Sequence, residues 1–282
     1  MLAIIGGSGL YQLDGLEISQ QLRVVTPFGQ PSDLIYCGSY TGQPVLFLSR
    51  HGQGHRLLPH EINYRANIFA LKKLGATQVL SISAAGSLRE EIAPGDLALV
   101  EQYFDHTKGI RKGSFFGAGL CAHISTAQPC CPALNGDILA AAQRIEQTVH
   151  SQTTYACVEG PRLGTSAESY FLRDAVKADL VGMSNIPEAF LAREAQMAYS
   201  SLCLITDYDC WIEDQSKHVN VEQFLKIYGQ TLEKAQGLLT ELLASTLSQP
   251  PLAARTALSS ALLTNTSQIS HAQQHWLNVL QA

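Results

Sequence analysis

The chain has 282 residues, 46% of them hydrophobic and 15% charged, with 19 Lys and Arg against 24 Asp and Glu. That apolar share can fill a large core and excludes general disorder. The net charge of −5 excludes a broad basic surface, so nucleic-acid backbone is a poor default partner.

The longest apolar runs, such as Ser201 to Thr206, are too short to span a bilayer. No Lys or Arg precedes Gly6-Gly7, which argues against a signal peptide. Seven cysteines without CxxC or Cys/His metal spacing predict a reducing, cytoplasmic setting and no metal site.

In chain order, Leu2-Ala3-Ile4-Ile5 is a short apolar run that stops at Gly6-Gly7-Ser8-Gly9. It predicts a buried strand and a tight turn. Asp33 to Cys37 and Pro44 to Ser49 predict a hairpin around Gly38 and Gly42. From Pro59 to Leu74, Ile62, Ala66, Phe69 and Ala70 recur at helical spacing until Gly75.

Strands follow at Gln78 to Ser83 and Asp96 to Glu101, then a Gly-, Pro- and Cys-rich loop over 105–132. Helices are expected at Ala133 to Val149, Ser166 to Val176, Pro187 to Gln196 and Val221 to Leu247. Between them lie strands at Thr154 to Val158, Leu180 to Met183 and Tyr199 to Ile205. A last helix is expected at His271 to Leu280. This alternation predicts a single-domain α/β layered sandwich, its central mixed sheet curling toward a barrel and flanked by helices. Functional groups then belong at strand ends.

Gly7-Ser8-Gly9 begins like a dinucleotide fingerprint, but Gln12 holds the third glycine position and no acidic ribose partner follows. It is either an ordinary turn or a small-anion site of open N–H groups with the Ser8 hydroxyl. Arg50-His51-Gly52 follows a buried strand, with His55 four residues on. A planar guanidinium suits phosphate, and the plain alternative is a surface Arg beside a satisfied His. Ser83-Ala84-Ala85-Gly86-Ser87 offers a hydroxyl and small side chains that let a ligand reach the backbone.

Asp207 and Asp209 follow the apolar strand ending at Ile205 and would share a face if it continues. Two such acids repel, so a buried one should have a raised pKa; exposed turn carboxylates or a magnesium site are the alternatives. Asn185, with Glu188 three residues on and Pro187 between, reads most simply as a helix cap.

Taken together, these segments resemble the 5′-methylthioadenosine phosphorylases of the trimeric purine nucleoside phosphorylase family. The matching stretches include Gly6-Gly7-Ser8-Gly9-Leu10, Thr26-Pro27-Phe28-Gly29, Arg50-His51-Gly52, Asn63-Tyr64-Arg65, Glu159-Gly160-Pro161-Arg162, Pro187-Glu188-Ala189 and Thr206-Asp207-Tyr208-Asp209-Cys210-Trp211. They run in family order from residue 3 to about 245. The resemblance implies attack of inorganic phosphate on ribose C1′ with release of the purine, without metal or organic cofactor.

It implies phosphate binding by Ser8, Arg50, His51, Ser83, Ala84 and Ser184, with Met183 under the ribose. Asp207 and Asp209 would read adenine N7 and the 6-amino group, with Asp207 catalytic, beside Leu163 and Gly164. The 5′ pocket would involve Val221, with Phe224 and Leu225 nearby, and His55. His123 would reach a neighbouring subunit's site, which implies a homotrimer with shared pockets.

Leu163 stands where the adenine enzymes usually carry Phe, and Gly164 where they carry Ser. Leu is shared with methylthioinosine-preferring relatives, so a 6-oxopurine phosphorylase is the runner-up and a non-catalytic nucleoside-binding homologue the third reading. Residues 1–248 are expected to form the phosphorylase domain. Residues 249–282 would be an extension packed on that domain, outside the resemblance.

Overall fold

A computed structural model describes residues 1–7, 10, 13–212 and 221–282. Among the described residues nine strands form one mixed sheet: β1 (Leu2–Gly6), β2 (Leu16–Leu22), β3 (Ile35–Tyr40), β4 (Gln43–Ser49), β5 (Gln78–Ser87), β6 (Leu97–His106), β7 (Val149–Val158), β8 (Leu180–Gly182) and β9 (Ala198–Tyr208). Their order is β2-β3-β4-β1-β5-β8-β7-β6-β9, and β9 pairs again with β5. That second pairing closes a five-strand barrel of β5, β8, β7, β6 and β9, with the other four strands as an open wing. The architecture is the α/β layered, partly barrel-like single domain that the strand–helix alternation predicts.

Helices cover both faces of the sheet. Alternate residues of β1 explain why its run is wholly apolar: Leu2 and Ile4 pack on one side, Ala3 and Ile5 on the other. The first side is closed by α2 (Pro132–Arg144) and α5 (Val221–Leu243) through Leu134, Ile138, Leu238 and Leu239. The opposite side is closed by α1 (Tyr64–Lys73) and α4 (Glu188–Glu194) through Ile68, Phe69 and Leu191. Each such side chain, fully buried, contributes roughly 1.5–3 kcal/mol. Between α2 and α4 lies α3 (Ser166–Tyr170), and the chain ends with α6 (Leu252–Arg255) and α7 (His271–Gln281). Trp276, Leu277 and Leu280 of α7 enter the same cluster as α1.

Three differences from the sequence-based elements bear on the site. β2 is an additional edge strand, exposed along most of its length, so it lacks the alternation that would betray it. β5 does not stop at Ser83 but runs to Ser87, and β9 runs past Ile205 to Tyr208. Their ladder carries a register shift at Ala85/Gly86, which pairs Ala85 with Ile205 and Gly86 with Asp207. Such a bulge re-aims the side chains at that point, here Thr206 and Asp207. The 105–132 segment lacks helices, but it is anchored: Ser114 Oγ and the Phe115 amide donate to the buried Glu194 carboxylate at 2.7 Å.

Candidate active site

Arg50 stands just beyond β4, and its amide donates to the Gly6 carbonyl at the end of β1. Only 2% of its side chain is exposed. Nε and Nη2 donate to the two carboxylate oxygens of Glu188, at 2.8 and 2.9 Å. Nη2 also reaches Ser81 Oγ and the Ile5 carbonyl, and Nη1 the Ile82 carbonyl. Burial opposes the charge, but Glu188 outweighs it and holds the guanidinium protonated. Of five donors, one Nη1 hydrogen has no acceptor among the described residues.

The Asn185–Glu188 cap reading is therefore corrected. Glu188 is fully buried and takes the Arg50 fork and the Tyr199 hydroxyl. Asn185 accepts from Ser83 Oγ at 3.0 Å and donates to Tyr103 and Ser201. No side chain caps α4, whose N-cap is Pro187. A buried carboxylate and amide need partners more than a helix end does. The one hint in the sequence was a charged residue placed directly before the apolar run Ala189 to Ala192.

His51 Nδ1 donates to the Leu57 carbonyl at 2.8 Å, so Nε2 is left as an acceptor. Burial, Arg50 and the stacked His55 ring, 4.0 Å away, lower its pKa to about 4. The imidazole is neutral near pH 7. His55 itself is exposed, with φ +55°. Ser83 and Ser184 are buried and Ala84 half-buried, all close to the strand ends that Arg50 bridges. Ser8 lies outside the described residues.

At the other end of the site, Asp207 lies over β5, where a Cβ on Gly86 would come within 3.1 Å of its carboxylate. Thr206 Oγ1 donates to its Oδ1 at 2.6 Å. Burial raises its pKa to about 6; the Thr206 bond opposes this and Asp209 adds to it. Asp209 is half-buried, its amide on the Ser87 carbonyl. Cys210 Sγ reaches the Gly164 carbonyl at 3.5 Å and so brings the 163–164 loop beside the two acids. Gly164 is exposed, and Leu163 is 77% exposed.

Met183 is half-buried against Gly160, where any Cβ would overlap its sulfur. Gly7 faces Tyr228 of α5, whose hydroxyl a Cβ there would meet at 2.9 Å. Val221 opens α5, but its side chain lies outside the described residues. His123 is not gathered with the others: it is exposed, its amide bonded to the Ala261 carbonyl, its ring 3.8 Å from Cys121 Sγ. Among the described residues no cluster of three or more His, Cys, Asp or Glu is placed for a metal. Nor is any helix there long and apolar enough to cross a membrane.

A buried guanidinium with an open Nη1 hydrogen, bonded to the Ile82 carbonyl of β5, suits an anion, and a raised carboxyl further along the same β5–β9 ladder suits a basic leaving group. The chain belongs to the Phosphorylase superfamily, whose sequence pattern matches residues 1–244. Among more specific relatives, it is 47% identical to the S-methyl-5′-thioadenosine phosphorylase of Geobacter sulfurreducens, over 85% of this chain and 83% of that one. It is 44% identical to the enzyme of that name from Thermosynechococcus vestitus, over 100% of this chain and 98% of the other. A methylthioadenosine phosphorylase crystal structure from an Antarctic soil metagenomic library superposes with TM-score 0.92 at 42% identity, covering 99% and 98% of the two chains. The methylthioadenosine phosphorylase of Schistosoma mansoni in complex with adenine gives 0.86 at 32%, covering 93% and 98%.

Proposed function

We propose that the chain catalyses phosphorolysis of 5′-methylthioadenosine to adenine and 5-methylthioribose 1-phosphate. The observation that carries this reading is Asp207: a mostly buried carboxyl, raised to about 6, beside a second acid and an exposed platform residue. Phosphate forms the new bond to C1′ as the C1′–N9 bond breaks, and its electron pair goes to the purine. A protonated Asp207 donates to N7 as that charge develops, which lowers the barrier. Asp209 accepts from the 6-amino group. A 6-oxo purine would turn an acceptor toward it, at a desolvation cost.

At the sugar's other side, Arg50, Ser8, Ser83, Ser184 and the Ala84 backbone hold the phosphate. Hydrogen phosphate loses its proton on becoming an ester, and adenine gains one. His51, with Nδ1 committed to Leu57, offers Nε2 as an acceptor for that P–OH. Met183 supports the ribose, and Val221 and His55 border the 5′ group. This chemistry asks for no metal or organic cofactor; phosphate is the co-substrate. His123, remote from the other candidates, serves a neighbouring subunit in a homotrimer with shared sites. The setting is the cytoplasm, where the cysteines, free among the described residues, stay reduced.

Steady-state assays of methylthioadenosine, adenosine, methylthioinosine and inosine, with and without phosphate, test the proposal. Phosphate-dependent adenine release, fastest from methylthioadenosine, is expected. Faster turnover of the 6-oxo compounds, to which Leu163 lends support, would overturn the adenine preference. Tight binding without product would support a non-catalytic homologue.

A further inference from the structure

We propose that Arg111, in the irregular segment between β6 and α2, is the positioning residue for Met183 and so governs how tightly the ribose is held. This rests on the phosphorylase reading above. The β7–β8 ladder ends with Cys157 opposite Gly182, because β8 is only three residues long. Met183 begins where that ladder stops, so no further rung of sheet fixes its backbone.

The Arg111 guanidinium stands where the next rungs would be. Nη2 donates to the Val158 and Glu159 carbonyls, at 3.3 and 2.8 Å, on the β7 side. Nη1 donates to the Met183 and Ile186 carbonyls, at 2.8 and 2.6 Å, on the β8 side, and to Tyr64 Oη at 3.3 Å. Nε donates to Glu159 Oε1 at 2.6 Å, and Glu159 Oε2 takes the Lys108 amide at 2.8 Å. The Arg111 side chain is 3% exposed. A planar fork with five donors can join two chain segments in this way; an ammonium on a flexible stem cannot. Gly160 completes the clasp by letting the Met183 sulfur press against it.

The phosphate-side neighbour of Met183 is held separately. Asn185 is locked to Ser83, Tyr103 and Ser201. The two anchors predict a split: loss of the Arg111 fork loosens the ribose platform and leaves the phosphate side in place. A lysine keeps the charge facing Glu159 but not the fork, so Arg111→Lys separates positioning from simple ion pairing.

The test is steady-state kinetics on the intact enzyme and on Arg111→Lys, varying methylthioadenosine at saturating phosphate and then the reverse. A thermal melt of each protein accompanies the kinetics. The expected result is a methylthioadenosine KM about tenfold higher, as for a modest misplacement of a substrate-positioning group. The phosphate KM should stay within about twofold. If Arg111→Lys does not fold, Glu159→Gln leaves the carbonyl bonds in place and should give a smaller split in the same direction. Equal rises in both KM values, or none, would overturn the Arg111 assignment while the active wild type sustains the phosphorylase reading. A wild type that releases no adenine with phosphate would overturn that reading, and this assignment with it.

Discussion

At the phosphate end of the site, Arg50 is buried, its fork locked on Glu188 and its other donors largely spoken for by Ser81, Ile82 and Ile5. At the base end, Leu163 is open to solvent, and Asp207 has a single side-chain hydrogen bond, from Thr206, among the described residues. The first end is organised before any ligand arrives. It holds a charge in place at no reorganisation cost, the condition under which electrostatic stabilisation is most effective. The second end keeps one ionisable group near its midpoint and awaits the purine. Anion binding thus asks for a donor fixed by many partners, and proton transfer for a buried carboxyl left with few; one strand layer meets both.

The largest effect should come from the base end. Asp207→Asn keeps the shape and a hydrogen-bond donor but has no proton to give, and kcat should fall about 10²–10⁴-fold with little change in KM. Steady-state assays check this; equal losses in affinity and turnover would count against the leaving-group role.

Next comes the phosphate end. Glu188→Gln leaves a buried guanidinium without its counter-charge and should destabilise the fold by about 3–5 kcal/mol, read from urea unfolding. A loss of function at unchanged stability would show instead that Glu188 serves chemistry rather than the scaffold. Gly160→Ala is expected to cost less, about 1–3 kcal/mol of strain at φ +68°, and to raise the nucleoside KM by pushing Met183 aside.

Smallest is Leu163→Phe. At an exposed position it should change stability by no more than about 0.5 kcal/mol. A ring stacked on the base should favour adenine nucleosides by roughly 0.5–1.5 kcal/mol in competition assays.

Much of this was legible in the sequence because it is local. Apolar runs stopping at Gly6 and Ser49 marked strand ends, whereas the run to Ile205 marked a strand that continues to Tyr208 and carries Asp207 itself. What was not legible depends on partners distant along the chain. Glu188 meets Arg50, and Arg111 meets Met183, through contacts that leave no periodicity. Asn185 therefore reads as a cap, and 105–132 as a long loop of the functional or partner-facing kind with no residue in it singled out but His123. β2 escaped because an edge strand with both faces wet shows no alternation.

The most direct test of the base-end claim is kcat/KM for methylthioadenosine against pH, at phosphate saturating throughout, for the wild type and Asp207→Asn. Asp207 must be protonated to donate, and its protonated fraction falls as pH rises through about 6. His51, lowered to about 4, stays neutral above pH 5 and adds no limb. The wild-type profile should decline between pH 6 and 8, and the variant's should be flat. A flat wild-type profile, or the same decline in both proteins, would contradict a proton held by Asp207.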